Sequence, residues 1–372
     1  MPDVDDVIEL GEEPAEAPST ALEKKYSQQM RQIVSQKIDL PISTLPEMIK
    51  QQINLNPDFQ RRDRWDQEKQ SRFIESIIMN VPIPPVFLGE DQYGSYVVLD
   101  GRQRLTAINE FLKNTYKLKS LEVWADLNGQ SFNDLQKQKL DRAITRRFVP
   151  AVVILKESSP QVKYDVFDRL NTGGVIAEPM EIRNAVFQGS FNKLIRELAE
   201  TPTFRRLWDI PTDQLELEKN ALYRKMSDIE LILRFFALSH YERMDMKFKD
   251  YLSDFLDTRN KEYVANAALE QQDRDIFMRA IENCWAVFGE NAFRKDAQAK
   301  KSAPLADAVM IALSDLPPAQ VQQKAANIRA AIKDLLDNNE EFRKAFGTGT
   351  NGKGAIRTRI QLAQQAIRSA VV

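Results

Sequence analysis

Histidine and cysteine are almost missing from this chain of 372 residues, which contains one of each, His240 and Cys284. A single cysteine excludes an internal disulfide and a zinc site built from several cysteines. A single histidine excludes an HNH-type nuclease centre and a zinc hydrolase with two histidine ligands, and it is a poor general base without placed partners. Both residues lie in apolar helical patterns, so we expect them to pack in or beside the core.

The sequence also has no long apolar run and no basic overall charge. No apolar run approaches the roughly 20 residues that cross a bilayer, and the N-terminus is acidic where a signal peptide would be basic. These features predict a cytoplasmic protein that has no membrane partner. The formal net charge is -2, so any contact with DNA must come from a local patch of positive charge.

Composition and patterning divide the chain into three parts. Residues 1–25 are rich in acidic residues and proline, which predicts a disordered acidic tail. An alternative is that this tail mimics nucleic acid. Residues 26–188 mix strand and helix patterns and predict an α+β domain. In residues 189–372 the apolar positions recur every three or four residues, so an all-helical domain is expected there.

The central motif is the sequence Tyr-Val-Val-Leu-Asp-Gly-Arg-Gln-Arg-Leu-Thr at residues 96–106. An apolar β-branched run ends at Asp100 and Gly101, and a helical apolar period begins directly after them. The first turn of a helix offers backbone N–H groups and the positive end of the helix dipole, while Arg102 and Arg104 add guanidinium groups that suit phosphate. We therefore predict an anion site. The alternative is that Asp100 only caps the helix beside solvated arginines.

Residues 54–66 are a second candidate for contact with phosphate. They interleave three arginines with Phe59 and Trp65, and arginine with aromatic residues is a combination that binds phosphates and stacks on bases. An Arg–Asp network on the surface is the alternative. Asp66 is expected to cap a helix that stops at Asn80.

A third candidate is the sequence Asn-Thr-Gly-Gly at residues 171–174. In one interpretation it ends a helix with a glycine of positive φ. In the other it forms a flexible loop over a ligand, with Arg169, Asn171 and Arg183 pointing inward.

The remaining pattern predicts several strands and helices. The expected elements are a pair of strands at 86–88 and 96–99, a strand at 118–124, a helix over 131–145 begun by a serine cap, and a strand over 148–155. Residues 347–354 imitate a phosphate-binding P-loop, but Gly354 stands where a Ser or Thr must supply a hydroxyl to Mg²⁺, and a helix is expected before the loop. We therefore reject a P-loop there.

Several motifs occur in a fixed order over about residues 30–190. They are Gln60-Arg61 ahead of Trp65, Glu75-Ser76, Pro82-Ile83-Pro84-Pro85, Asp-Gly-Arg-Gln-Arg-Leu-Thr at 100–106, Phe-Asp-Arg-Leu-Asn-Thr-Gly-Gly at 167–174, and Glu-Ile-Arg-Asn at 181–184. Together they resemble the GmrSD restriction endonuclease N-terminal family, which belongs to the ParB/sulfiredoxin-like superfamily.

The resemblance implies a ParB/sulfiredoxin-like α+β domain, here followed by the all-helical domain. In the family, an Asp-Gly-Gln-Gln-Arg signature binds and hydrolyses a nucleoside triphosphate, often GTP, in prokaryotic defence systems that restrict DNA. In this chain we expect GTP or ATP with Mg²⁺ or Mn²⁺. The predicted catalytic residues are Asp100, Gln103 and Arg104, with Asp100 also as the metal ligand. The predicted nucleotide-binding residues are Gln60, Arg61, Gly101, Arg102, Arg169, Asn171, Thr172, Gly173, Gly174 and Arg183.

The sequence departs from the family pattern in two respects. Arg102 stands where the signature has glutamine, which changes the charge at a candidate nucleotide contact. Larger members end in an HNH nuclease domain, for which this chain has neither the length nor the histidines, so we interpret it as a stand-alone member that works with a partner nuclease or a noncanonical site. Two other functions stay open: a ParB-like module that binds or nicks DNA, and a nucleotide sensor without hydrolysis that docks a partner nuclease.

Overall fold

The computed structural model describes residues 33–55, 65–170, 178–296, 298–347 and 349–372, without the side chains of Gln92 and Leu170. Within it, Val34–Val372 forms one compact unit. The predicted acidic tail, Gln60 and Arg61, and the Asn-Thr-Gly-Gly sequence at 171–174 lie outside the described residues.

A mixed sheet of five strands forms the centre of the N-terminal half of the described chain. The strands are β1 (Ser35–Pro41), β2 (Ile53–Asn54), β3 (Val86–Gln92), β4 (Ser95–Asp100) and β5 (Phe148–Ile154), in the order β1-β5-β3-β4-β2. Strand β4 is antiparallel to β3 and parallel to β2, whereas β5 is parallel to β3 and antiparallel to β1. The predicted strand pair before the central motif and the strand over 148–155 are thus confirmed.

Helices cover one face of this sheet. They are α1 (Leu45–Gln51), α2 (Gln67–Ile78), α3 (Arg102–Leu112), α4 (Phe132–Lys137) and α5 (Arg142–Thr145). Their buried side chains form one hydrophobic cluster with Val86, Leu88 and Val98 of the sheet. Asp66 caps α2 as predicted, because its carboxylate accepts the backbone N–H of Lys69 at 2.8 Å.

The rest of the described chain is helical. The helices are α6 (Pro160–Leu170), α7 (Pro179–Val186), α8 (Ser190–Ala199), α9 (Pro202–Leu207), α10 (Gln214–Lys219), α11 (Ala221–Arg224), α12 (Ser227–Leu238), α13 (Phe248–Ala265), α14 (Ala268–Phe288), α15 (Ala303–Leu313), α16 (Pro318–Gln323), α17 (Ala325–Asn338), α18 (Glu340–Lys344) and α19 (Lys353–Val371). None of the helices in the described residues has both the length and the apolar composition needed to cross a bilayer.

The two halves share the sheet. A second hydrophobic cluster extends from the helices after residue 160 to the other face of the sheet, where it includes Val97, Leu99 and Ile154. Successive side chains of a strand point to opposite faces, so β4 contributes Val98 to one cluster and its two neighbours to the other. The α+β fold with a helical C-terminal half is confirmed.

The strand predicted over 118–124 is wrong. This segment is a loop, because side chains accept its backbone N–H groups where a neighbouring strand would otherwise do so. The buried carboxylate of Glu75 in α2 accepts the N–H groups of Val123 and Trp124 at 3.0 and 2.8 Å. Asn128 Oδ1 accepts a third N–H group of the loop at 2.9 Å.

The helix predicted over 131–145 is two short helices, α4 and α5. Ser131 begins α4 with a capping box, in which Ser131 and Asp134 each accept the backbone N–H of the other. Lys139 then has a left-handed φ of 59°, which ends the first helix before α5 begins at Arg142.

Cys284 and His240 have the packing roles that were predicted. Cys284 is fully buried in α14, and this burial raises the pKa of its thiol well above the ordinary value. His240 is half-buried directly after α12. Its Nδ1 lies 3.2 Å from the carbonyl oxygen of Phe236, and its ring packs on Phe255.

Three buried charged residues join α12, α15 and α19. Asp307 accepts a hydrogen bond from Arg234 Nη2 at 2.5 Å and another from Arg359 Nη2 at 2.7 Å. Burial lowers the pKa of Arg359 in spite of the nearby Asp307 carboxylate. Two buried guanidinium groups therefore depend on one carboxylate for charge compensation.

The substitution Asp307→Asn is expected to lower the free energy of unfolding by about 3–5 kcal/mol, because it removes the charge of the carboxylate to which both buried guanidinium groups donate hydrogen bonds. The control is Asp337→Asn, which removes the solvent-exposed pair between Asp337 and Lys333 and should cost less than about 1 kcal/mol. Urea unfolding followed by circular dichroism measures both changes. Equal effects of the two substitutions would show that the buried cluster is not stabilising.

Candidate functional site

The central motif folds as a strand that enters a helix through one glycine. Strand β4 ends at Asp100, α3 begins at Arg102, and Gly101 between them has a φ of 92°. A Cβ on Gly101 would lie 2.4 Å from Cγ1 of Val86. Both the left-handed conformation and the close contact therefore require glycine.

Gly101 is also the N-cap residue of α3, and it has no side chain that could accept an N–H group of the first turn. A bound anion can take over that role at a helix N-terminus. Arg102, which is half-buried in the first turn, adds a positive charge one residue away. The anion site predicted at this helix start stays a prediction.

Arg104 holds Asp100 in place. Its Nη2 donates to Asp100 Oδ2 at 2.6 Å, while its Nη1 donates to the carbonyl oxygens of Pro84 and Pro85. The Arg104 side chain is 13% exposed, whereas that of Asp100 is 41% exposed. With its terminal nitrogens engaged in this way, Arg104 positions Asp100, and its predicted catalytic role stays a prediction.

Asp100 does not cap the helix. The cap residue is Gly101, and the Asp100 carboxylate instead forms an ion pair with Arg104 one turn into α3. The alternative that the motif is only a helix cap beside solvated arginines is therefore wrong on both points, for Asp100 and for Arg104.

Gln103 connects the motif to the arginine-rich segment. Its Oε1 accepts the backbone N–H of Trp65 at 3.0 Å, and the Trp65 ring packs edge-on against Phe73 at 5.6 Å. On the other side of the segment, the buried Leu55 directly follows β2, which pairs with β4. The described residues on both sides of segment 56–64 are therefore held at β4 and α3.

Asp168 is a functional candidate that sequence reasoning did not select, although it lies in one of the quoted motifs. It accepts a hydrogen bond from Lys249 Nζ at 2.7 Å and thereby joins α6 to α13. Burial by itself lowers the pKa of Lys249, but the hydrogen bond with Asp168 raises it overall. The neighbouring Arg169 is exposed near the end of α6, and within the described residues no ion pair joins it to the central motif.

The prediction that Arg183 points toward a nucleotide is wrong. Its side chain is buried, with Nε donating to Ser253 Oγ at 3.1 Å, Nη1 to Glu230 at 2.9 Å and Nη2 to the carbonyl oxygen of Lys249 at 3.0 Å. These partners belong to α12 and α13. Arg183 therefore joins α7 to the helical half.

The central motif contributes one carboxylate to the predicted metal site, which stays a prediction. Among the described residues, no group of three or more histidine, cysteine, aspartate or glutamate side chains could hold a metal. Asp100 alone contributes a carboxylate, and one of its oxygens pairs with Arg104. Such a donor set suits Mg²⁺, which usually keeps waters and binds phosphate oxygens beside one or two carboxylates.

The rejection of a P-loop in the glycine-rich residues 347–354 is confirmed. The helix α18 precedes them where a strand would be required. Lys353 begins α19 and donates to the carbonyl oxygen of Glu242 at 3.3 Å. An open cleft of about 580 Å³ lies here, and it contains no residue of the central motif. It is lined by Met244, Asp245, Met246, Lys247, Phe248, Asn351, Gly352 and Lys353.

The family model described as GmrSD restriction endonuclease, N-terminal domain, matches residues 42–188. This part of the chain is therefore similar to the GmrSD N-terminal domain. The match contains the central motif and the helices α1 to α7, and it connects the domain with DNA restriction. No curated protein and no solved structure matches the chain significantly. The predicted domain boundaries stay a prediction.

The substitution Gly101→Ala is expected to reduce the free energy of unfolding by about 2–4 kcal/mol, through the contact with Val86 and the left-handed φ. The control is Gly94→Ala, where φ is 76° but nothing lies within 4 Å of a new Cβ, so only the conformational cost of about 1–2 kcal/mol applies. Thermal unfolding measures both. Adding Val86→Ala should restore part of the loss at Gly101 and none at Gly94, and equal costs for the two glycines would contradict the close contact.

Proposed function

We propose that the GmrSD N-terminal domain of this chain binds a nucleoside triphosphate, GTP or ATP, and hydrolyses it as part of DNA restriction. The observation that most supports this proposal is the arrangement at the end of β4. There, an exposed carboxylate, Asp100, is fixed by Arg104 directly beside the first turn of α3, which has no side-chain cap.

Phosphate binding is assigned to the first turn of α3. Its N–H groups, the positive end of the helix dipole and the Arg102 guanidinium all favour negative charge at this point. Further contacts are assigned to Gln60 and Arg61, since the chain on both sides of their segment is held at the motif. Arg169 and the residues Asn171, Thr172, Gly173 and Gly174 are assigned to the same ligand, as proposals that follow from the sequence motifs.

Hydrolysis is assigned to Asp100, which is accessible and positioned to orient an attacking water. Phosphoryl transfer requires mainly charge neutralisation and alignment, so a carboxylate, positive charge and a helix N-terminus are adequate without histidine or cysteine. Mg²⁺ held by Asp100 and the phosphates would supply additional charge neutralisation. Gln103 acts through its hydrogen bond with the backbone N–H of Trp65, which holds Trp65 beside the motif.

With Mg²⁺ and GTP or ATP, the purified chain is expected to release inorganic phosphate. Asp100→Asn should lower the rate by about 100-fold or more while nucleotide still binds, because it removes the carboxylate that aligns the water. Arg102→Ala should weaken nucleotide binding by about 10-fold or more, the typical effect of losing a hydrogen bond to a charged group. Phosphate release and a thermal-shift titration measure the two effects separately.

The matched control is Asp91→Asn, because Asp91 is exposed toward the opposite end of the same sheet, in β3, and should change neither quantity. Full hydrolysis by Asp100→Asn would contradict the catalytic assignment. If a nucleotide stabilises the chain but is not hydrolysed with any metal, the result would instead support the nucleotide sensor. Absence of any stabilisation by nucleotide would contradict binding itself.

A further inference from the structure

We infer that a cationic surface on and beside α5 binds the phosphodiester backbone of DNA. This basic surface consists of Lys139, Arg142, Arg146 and Arg147, and it is separate from the residues assigned to the nucleotide. The inference concerns binding alone and does not depend on nucleotide hydrolysis.

The charges of the basic surface are not neutralised by nearby carboxylates. Lys139, Arg142 and Arg146 are exposed, and none of their side chains takes part in an ion pair or hydrogen bond with another described residue. Arg147 is half-buried, and its Nε is shielded from solvent with no hydrogen-bond partner. Because the formal net charge of the whole chain is -2, the excess of positive charge at this surface is local.

Three exposed lysines of the helical half differ from the basic surface in this respect. On the helical half, Lys193, Lys261 and Lys333 each form an ion pair with an acidic residue four positions away on the same helix. Such pairs are the usual arrangement of a solvated helix face. The basic surface lacks them, although Asp134 and Asp141 lie nearby in the sequence.

The basic surface is rigidly attached to the sheet. Ile144 of α5 is buried in the hydrophobic cluster below the sheet, and the carbonyl oxygen of Arg147 accepts the N–H of Ile42 at 3.0 Å. Arg142 and Arg146 are four positions apart and therefore lie on one side of this helical segment. Fixed backbone positions reduce the entropy that is lost when the side chains bind a ligand.

The register of the sheet places the basic surface and the central motif at the same end. Phe87 of β3 pairs with Asp100 on one side and with Val152 on the other. Phe148, directly after Arg147, is four residues nearer that end than Val152. With standard strand dimensions, Phe148 lies about 10 Å from Asp100 across the strands and about 13 Å beyond it along the strand direction. A strand of DNA covers such a distance in about five base pairs.

The arginines of the basic surface and the exposed ring of Phe148 favour DNA over an acidic protein as the ligand. A guanidinium group binds phosphate through two parallel hydrogen bonds. Phe148 is 55% exposed beside these arginines, and an exposed aromatic ring next to cations is a platform on which bases stack. The family match to a restriction endonuclease domain agrees with DNA as the partner.

The test uses a fluorescein-labelled DNA duplex, the full chain and anisotropy titrations from low to moderate salt. One variant combines Lys139→Gln, Arg142→Gln and Arg146→Gln. The control combines Lys193→Gln, Lys261→Gln and Lys333→Gln, which removes the same charge from the helical half. The first variant should bind at least about 10-fold more weakly at low salt, with a log-affinity against log-salt slope reduced by about 3, since each phosphate contact contributes about 0.9. The control should match the parent chain.

Equal binding by both variants, or no binding by the parent chain, would overturn the inference. Binding of polyglutamate as tight as that of DNA would also overturn it, in favour of an acidic protein partner. Melting temperatures should be the same for all three chains, because the substituted side chains are exposed. Phosphate release, measured in parallel, should be unchanged in the basic-surface variant, so a failure of this inference and a failure of the proposed nucleotide hydrolysis are distinguishable.

Discussion

The close contact between Gly101 and Val86 determines how the central motif is built. Because Gly101 has no Cβ, the chain can turn from β4 into α3 within one residue while it touches the first residue of β3. This sharp turn places Arg104 one helical turn beyond Asp100, where its guanidinium reaches both the carboxylate and the proline carbonyls that precede β3. The position of the carboxylate, the path of the proline segment and the direction of the helix N-terminus all follow from that contact.

The sequence predicted those elements whose determinants are local. The cap at Asp66, the serine cap at Ser131 and the junction between β4 and α3 depend on residues within one helical turn, and each is confirmed. The loop at 118–124 has the apolar pattern of a strand, but its N–H groups are accepted by side chains such as Glu75. No periodicity in the segment itself reports a partner that lies so far away in the sequence.

The same limit applies to the candidate site. The motif could be located from the sequence, because Asp-Gly between an apolar run and a helical period has a clear physical meaning. The roles of the arginines could not be separated, since a guanidinium suits a phosphate and a buried carboxylate equally well. Burial and partners distinguish them: Arg104 fixes Asp100, Arg183 binds residues of the helical half, and Arg102 lies half-buried in the first turn of α3.

The helical half contacts the strand that leads into the motif, on one face of the sheet. Val97 and Leu99 of β4 pack in the cluster of the helical half, so the strand that carries Asp100 has this half as its support. The helices α6 and α7, on either side of segment 171–177, are joined to α12 and α13 through Asp168–Lys249 and Arg183–Glu230. A ligand that moved α6 or α7 would have to break or carry along these ion pairs. The nucleotide binding that we propose at the motif would therefore be mechanically linked to the arrangement of the helical half, and these ion pairs would be the physical route by which the helices after residue 188 respond.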